Sequence, residues 1–192
     1  MRRFLTASLL LAVGIALGLA SAWWAVKRLD GLAAAAAGGP WRTSTLAGSS
    51  SADLHTRAAV AVGGLLALSR KETQYFVARH DSAGAPLRSR CRYRVSGAPP
   101  AARWWSVTAY ADDLFLFDGV EGRHSLGSST LALDPARRFA FVSGPSAPQP
   151  SGALPWLPTP GDRGLVLVLR LYQPEATASN ELPLIEALEA CR

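Results

Sequence analysis

The chain has 192 residues and a formal net charge of +6, and almost all of its basic residues are arginine. About 165 residues follow the apolar N-terminal segment, enough for one domain with its own core but too few for two. No nucleic-acid-binding motif accompanies the positive charge, so we expect no nucleic-acid partner. In an exported domain, that charge would favour anionic lipid head groups or acidic glycans.

The N-terminal residues 4–26 contain no charged side chain, and basic residues flank them on both sides. About 20 apolar residues are enough for a helix to cross a bilayer core. Trp23 and Trp24 fall where an interfacial aromatic belt would lie. The segment therefore predicts a transmembrane anchor over residues 1–28, with Gly14 and Gly18 as a small-residue pair that would allow a homodimer.

A cleaved signal peptide is the alternative interpretation of this segment. The small residues Ala20-Ser21-Ala22 suit signal peptidase, which would leave Trp23 as the new N-terminus. Because apolar character continues through that site, we prefer the anchor. We expect a single-pass inner-membrane protein with its N-terminus inside and the bulk of the chain on the periplasmic side, since long domains translocate largely regardless of their charge.

Residues 29–52 are rich in alanine, glycine, serine and threonine, which predicts a linker between the anchor and a domain over 53–192. Asp53 or Thr56 can cap an amphipathic helix that extends to about Leu68. Beyond it, short segments rich in aromatic and β-branched residues predict strands at 74–80, 87–95, 104–110, 139–143 and 165–172. This spacing predicts a mainly β domain, an antiparallel jelly-roll-like sandwich.

Two cysteines, Cys91 and Cys191, are present. In an oxidising compartment they predict a disulfide, which would tie the C-terminus to an interior strand. In a reducing compartment they would be two inert buried thiols.

The segment 87–95 alternates strictly between arginine and other residues. On a strand this period places the arginines on one face, where each guanidinium can engage a carboxylate or phosphate. The segment therefore predicts an anion-binding stripe. The alternative is a solvated face neutralised by acids such as Asp112, Asp113 or Glu121. The stripe consists of Arg88, Arg90, Arg92 and Arg94.

The segment 104–110 also alternates, with Trp104 and Tyr110 on the same side as two hydroxyl side chains. An aromatic ring beside hydroxyls is typical of surfaces on which sugars stack, although such residues also simply stabilise sheets.

Four segments of the chain resemble a known family. They are the run 102–110, Arg123-His124-Ser125-Leu126-Gly127, Leu154-Pro155-Trp156-Leu157-Pro158 and the run 167–174. In order and spacing they resemble the domain of unknown function 1214 family from about Trp41 onward. The resemblance implies a β-rich, jelly-roll-like domain, often behind one N-terminal membrane segment, and implies no established activity.

Two positions depart from the family pattern. His124 stands where the family usually has tyrosine, between Arg123 and Ser125, and Pro155 stands where it usually has asparagine, before Trp156. If those family side chains contact a ligand, this protein would lack that contact. Arg123, Ser125 and Trp156 join the candidate ligand-binding residues.

One compact polar cluster could support general acid–base chemistry, because histidine titrates near neutrality and a carboxylate can orient it. It consists of Asp118, Glu121, Arg123 and His124. A solvated turn explains the same residues, so we expect a non-enzymatic protein, and no nucleophile or phosphate-binding motif is present. The histidines lack zinc-ligand spacing, so we expect neither a metal nor a cofactor.

The leading functional hypothesis is a membrane-tethered binding or accessory module for anionic lipid or glycan. The alternatives are an envelope enzyme that uses the polar cluster, or a structural partner of another membrane protein.

Overall fold

A computed structural model describes residues 2–32, 35–44, 49–54, 57–58, 61, 68–118, 122–148, 154–178 and 181–189. Within these ranges the chain forms one long helix and ten strands. They are α1 (Arg2–Leu32), β1 (Ala35–Gly38), β2 (Trp41–Thr43), β3 (Thr73–Ala78), β4 (Tyr93–Gly97), β5 (Ala102–Ala111), β6 (Ser125–Gly127), β7 (Phe139–Gly144), β8 (Trp156–Pro158), β9 (Leu165–Pro174) and β10 (Leu184–Ala187).

The strands form two sheets, which confirms a mainly β fold behind an N-terminal helix. The larger sheet has the order β1-β2-β3-β9-β5-β6, and the smaller has the order β10-β4-β7-β8. Neighbouring strands are antiparallel except β7 and β8, which are parallel. The jelly-roll connectivity stays a prediction.

The centre of the larger sheet is β9, which pairs with β3 on one side and β5 on the other. Alternate residues of β5 and β9 point to opposite faces, as period-2 geometry requires. One face packs into the core, through residues such as Val107 and Leu169, which are fully buried. The opposite face of the sheet, which carries Trp104, Arg170 and Tyr172, is called the outer face.

The two sheets enclose one apolar core. The rings of Trp105 on β5 and Phe139 on β7 lie 4.5 Å apart, centroid to centroid, and Phe139 stacks on Phe141. Val95 on β4 and Ile185 on β10 belong to the same buried cluster. Offset aromatic pairs of this kind stabilise the packing beyond their burial.

The structure differs from the predicted linker over residues 29–52. β1 and β2 extend the larger sheet from its β3 edge. Trp41 is fully buried, and its indole N–H donates a 2.7 Å hydrogen bond to the carbonyl of Pro183. Alanine has a low intrinsic preference for strands, so the run indicates a spacer in sequence, whereas in the fold its pairing with β2 sets its conformation.

The segment 87–95 differs from the single predicted strand. Its alternation of burial is as expected, with Leu87, Cys91 and Tyr93 buried, but residues 89–90 form a turn and β4 begins only at Tyr93. The amide of Cys91 donates to the carbonyl of Arg88, which closes this turn. The four arginines therefore do not lie along one straight strand.

The other predicted strands are confirmed, with β5 and β9 longer than expected. The predicted helix from Asp53 to about Leu68 lies largely outside the described residues. Those described in it are helical at 54, 57–58 and 61, and the amide of Arg57 donates to the carbonyl of Asp53.

The helix α1 contains an apolar span, Arg3–Trp24, of 22 residues with a mean hydropathy of 2.1. It is long and apolar enough to cross a membrane, as predicted. A signal peptide has the same properties, so both sequence interpretations remain compatible with this helix.

Candidate functional site

The outer face is the side of the larger sheet turned away from the smaller sheet. Three neighbouring strands supply its polar and aromatic side chains, because β9 lies between β3 and β5. In register, Thr73 is opposite Tyr172, which is opposite Trp104; one step along, Tyr75 is opposite Arg170. These residues are Thr73, Tyr75, Trp104, Ser106, Thr108, Tyr110, Arg170 and Tyr172.

A cleft of about 430 Å³ lies at one end of the outer face. Its aromatic wall is formed by Trp104 and Tyr172, whose rings meet edge to face with centroids 5.2 Å apart. The indole of Trp104 remains 38% exposed. We call this cavity the aromatic cleft; it is lined by Leu68, Glu72, Thr73, Arg103, Trp104, Tyr172 and Gln173.

The polar wall of the aromatic cleft contains charges of both signs. The Arg103 guanidinium donates a 3.2 Å hydrogen bond to the side-chain oxygen of Gln173. Thr73 is buried, and its hydroxyl has no hydrogen-bond partner among the described residues. A buried hydroxyl without a partner costs about 1–3 kcal/mol, so this position is not optimised for stability.

A second group, the Arg170 cluster, lies further along the outer face and comprises Arg170, Thr108, Tyr110 and Tyr75. The Arg170 guanidinium donates to the hydroxyl of Thr108 at 2.8 Å and to the hydroxyl of Tyr110 at 2.6 Å. It lies 5.5 Å from the ring centroid of Tyr110 and 6.0 Å from that of Tyr75. Guanidinium groups are attracted to aromatic faces at such distances.

Burial is the main cause that raises the pKa of Tyr75 above its usual value, and the nearby Tyr172 adds to the rise. The positive charge of Arg170 acts in the opposite direction. The hydroxyl of Tyr75 therefore stays protonated and neutral across the physiological range.

The predicted arginine stripe is largely engaged by acids, but different ones from those expected. Arg90 forms a salt bridge with Asp162 at 2.9 Å, and Arg92 forms one with Glu189 at 3.2 Å. Arg94 lies opposite Glu186 in the pairing of β4 and β10. These arginines lie away from the outer face, and the anion-binding role of the stripe stays a prediction. The side chain of Arg88 is exposed, and its backbone pairs with that of Gly164 in an isolated antiparallel β-bridge.

Of the three acids expected to neutralise the stripe, Asp112 and Asp113 instead pair with Arg163, and Glu121 lies outside the described residues. The hydrogen bond from Arg163 holds the pKa of Asp113 below its usual value. The two aspartates follow β5 directly, so they stabilise the turn at its end.

The predicted acid–base cluster is only partly described. Glu121 lies outside the described residues, and Asp118 is exposed. The Arg123 guanidinium lies 5.5 Å from the ring centroid of Trp156, whose indole N–H donates to the carbonyl of Gly144. His124 accepts a hydrogen bond from Ala109 through its backbone carbonyl. Arg123 and Trp156 thus come together as a cation–π pair, while Ser125 is exposed at the start of β6.

Among the described ranges, no group of three or more histidine, cysteine or acidic residues is arranged to hold a metal ion. Cys91 is buried, while its predicted partner Cys191 lies outside the described residues.

A family model described as "Protein of unknown function (DUF1214)" matches residues 72–176. This range includes Trp104 and Tyr172, the aromatic wall of the cleft, and the Arg170 cluster. The chain belongs to the DUF1214 family. The resemblance noted in the sequence is thereby confirmed. No curated protein matches this DUF1214 chain.

Two solved structures are similar to the DUF1214 protein. The VPA0106 protein from Vibrio parahaemolyticus has a TM-score of 0.59 and 22% identity, over 72% of this chain and 36% of its own. A putative uncharacterized protein from Burkholderia cenocepacia has a TM-score of 0.42 and 19% identity, over 63% of this chain and 31% of its own. The first likeness supports the fold, and the chain spans only about a third of either relative.

Sequence reasoning found Trp104 and Tyr110 but missed Thr73, Arg170 and Tyr172. Arg170 interrupts an otherwise apolar run in β9, and a charged residue inside a central strand is a signal that could have identified it. Thr73 carries no such signal, because its surroundings depend on the pairing of β3 with β9.

Proposed function

We propose that this DUF1214 protein is a membrane-anchored binding module of the cell envelope, and that its ligand, an anionic lipid head group or a glycan, occupies the aromatic cleft. The observation that supports it is the exposed indole of Trp104 facing a cavity that also contains Arg103, Glu72 and Gln173. Ligand sites typically combine an apolar wall with a few polar groups that fix orientation. Aromatic faces and a guanidinium suit a sugar ring or a phosphate.

The direction of the strands favours a ligand at the membrane surface. α1 ends at Leu32 and β1 begins at Ala35. Antiparallel pairing from β1 through β2, β3 and β9 to β5 places the start of β1 at the same end of the sheet as Thr73, Tyr172 and Trp104. If α1 spans the bilayer, the aromatic cleft is at the end of the domain nearest the lipid.

The residues beside the cleft have the character of a membrane-facing surface. Lys71 and Arg103 are exposed, and Arg70 is held by a 2.6 Å hydrogen bond to the carbonyl of Ser44. Basic side chains near an anionic leaflet each add about 1 kcal/mol of attraction. Tryptophan is enriched at membrane–water interfaces, and Trp104 lines the cleft beside these basic residues.

Calorimetry on the full-length protein in neutral phosphatidylcholine nanodiscs tests the proposal. The probes are a soluble short-chain phosphatidylglycerol and, separately, soluble acidic oligosaccharides. We expect one probe class to bind and Trp104→Ala to weaken that binding at least about tenfold, which corresponds to about 1.4 kcal/mol.

Phe115→Ala is the matched control, because Phe115 is a 72% exposed aromatic residue that follows the opposite end of β5. It should leave the affinity unchanged within about twofold, since it is remote from the cleft. Equal affinities for wild type and Trp104→Ala, or no binding of either probe class, would overturn the assignment.

A further inference from the structure

Arg170 carries more hydrogen-bond donors than the described side chains around it accept. A guanidinium has five N–H groups. Two of them are used by the hydroxyls of Thr108 and Tyr110, and Arg170 forms no salt bridge with any described residue. By contrast, Arg90, Arg92 and Arg163 each have a carboxylate partner at the surface.

The position of Arg170 makes this imbalance costly. The side chain is only partly exposed, in the central strand of the larger sheet, between Val168 and Tyr172 on the outer face. Removing a charge from water without a counter-charge costs free energy, so charged groups in such places are usually paired. The rings of Tyr75 and Tyr110 offset part of this cost, but no carboxylate among the described residues balances the charge of Arg170.

The two hydroxyls add to the surplus of donors. Each accepts a hydrogen bond from Arg170, and neither donates to another described residue. A hydroxyl that accepts from a cation still has its own proton to donate. Thr108 and Tyr110 are two residues apart on β5, so both side chains lie on the outer face, about 7 Å apart.

From this geometry we propose that Arg170, Thr108 and Tyr110 form a binding site for an oxyanion, the carboxylate or phosphate group of a small ligand. The remaining guanidinium N–H groups and the two hydroxyls donate to it, and the rings of Tyr75 and Tyr110 hold the guanidinium in place. A planar fork of donors matches the oxygens of either group.

This site is separate from the aromatic cleft, because none of its residues lines that cavity. Its test therefore succeeds or fails independently of the proposed head-group binding. Inorganic phosphate and acetate are small enough to probe the Arg170 cluster without filling the cleft.

The experiment is a thermal unfolding titration of the full-length protein in detergent micelles with phosphate or acetate, and with sodium chloride at matched ionic strength. We expect at least one oxyanion to raise Tm by about 3–5 °C at ten times its Kd, since ligand binding to the native state alone stabilises it. Chloride should not. Arg170→Gln should abolish the shift, whereas Arg138→Gln, which removes an equal charge at an exposed position just before β7 of the smaller sheet, should retain it.

Tyr110→Phe keeps the shape of the site and removes one hydroxyl, so it should weaken oxyanion binding at least about fivefold. This variant decides the question if Arg170→Gln does not fold. Shifts equal to that of chloride in the wild type, or an undiminished shift in Tyr110→Phe and Arg170→Gln, would overturn the oxyanion site. Phosphate and acetate distinguish the two sources: the stronger ligand identifies the chemical group that the site recognises.

Discussion

Tyr75 illustrates how burial and charge act on one side chain of the outer face. Burial raises its pKa, and Arg170 only partly offsets this rise. The folded state therefore keeps a proton that the unfolded chain loses near pH 10. Because the native state binds more protons in that range, stability is fully present below pH 10 and is lost as pH rises through and above it.

We accordingly expect the free energy of unfolding to fall more steeply above about pH 10 in the wild type than in Tyr75→Phe, which has no phenol to titrate. Urea unfolding at a series of alkaline pH values, followed by circular dichroism, measures this slope. Identical slopes in the two proteins would show that Tyr75 ionises equally in both states.

Thr73 offers a test of what the buried hydroxyl in the cleft wall contributes to stability. Its hydroxyl is buried in the wall of the aromatic cleft without a partner among the described residues. Thr73→Val removes that hydroxyl at nearly constant volume, so we expect no loss of stability and a gain of up to about 1 kcal/mol. Urea unfolding measures this. A loss of more than about 1 kcal/mol would indicate that the hydroxyl has a stabilising partner.

At the scale of elements, alternation at 104–110 predicted β5, and the β-branched and aromatic composition of 165–172 predicted β9, most of whose residues are buried on both faces. The same rule failed for 87–95, where the burial alternates but the backbone turns at Ser89 and Arg90. Alternation reports which side chains are buried, and a turn held by local hydrogen bonds leaves that signal intact. The hydroxyl of Ser89 donates to the carbonyl of Gly161, a contact across 72 residues that no local pattern encodes.

The strands β1 and β2 show the opposite failure: β1 consists of alanine and glycine, and β2 is only three residues long, so neither gave a strand signal. Trp41 is the residue that fixes β2 in place, through full burial and its hydrogen bond to Pro183. Its partner precedes β10, so one side chain connects the edge of the larger sheet with the smaller sheet.

We expect Trp41→Ala to destabilise the domain by about 3–5 kcal/mol, because it removes a large buried ring. Trp41→Phe should cost about 1–3 kcal/mol, since it leaves the Pro183 carbonyl unpaired. Denaturant unfolding of the full-length protein measures both. Trp104→Phe, at an exposed tryptophan, is the control and should change stability by less than about 0.5 kcal/mol. Wild-type stability in Trp41→Ala would contradict this, and would show that residues 35–43 contribute as little to the domain's stability as a linker does.

At the scale of the whole molecule, the candidate site depends on strand order. Thr73, Trp104 and Tyr172 belong to three strands separated by up to about a hundred residues, and they meet because β9 inserts between β3 and β5. The sequence predicted the sandwich class, since that follows from patterning. It did not predict this order, because non-local pairing leaves no periodic signature. The apolar N-terminal helix was predicted directly from composition, because its formation needs no information about strand pairing.

The same long-range arrangement supports the predicted cross-link between Cys91 and Cys191. β10 pairs with β4, the amide of Leu188 donates to the carbonyl of Arg92, and Glu189 forms a salt bridge with Arg92. The chain is thus held beside the residue that follows Cys91, two residues before it reaches Cys191. A disulfide there would close a loop of about 100 residues and stabilise the domain by up to about 4.7 kcal/mol in the chain-entropy model.

If the domain is exported as proposed, alkylation of the protein denatured without reductant should label neither cysteine, and labelling after reduction should reach both. Cys91→Ser and Cys191→Ser should each lower the free energy of unfolding by a similar amount, and the double variant should cost no more than either, because all three remove one bond. Additive losses, or two cysteines that alkylate in the denatured, unreduced protein, would contradict the cross-link. The second result would also remove the support that a disulfide gives to an exported domain, and with it one argument for an envelope ligand in the aromatic cleft.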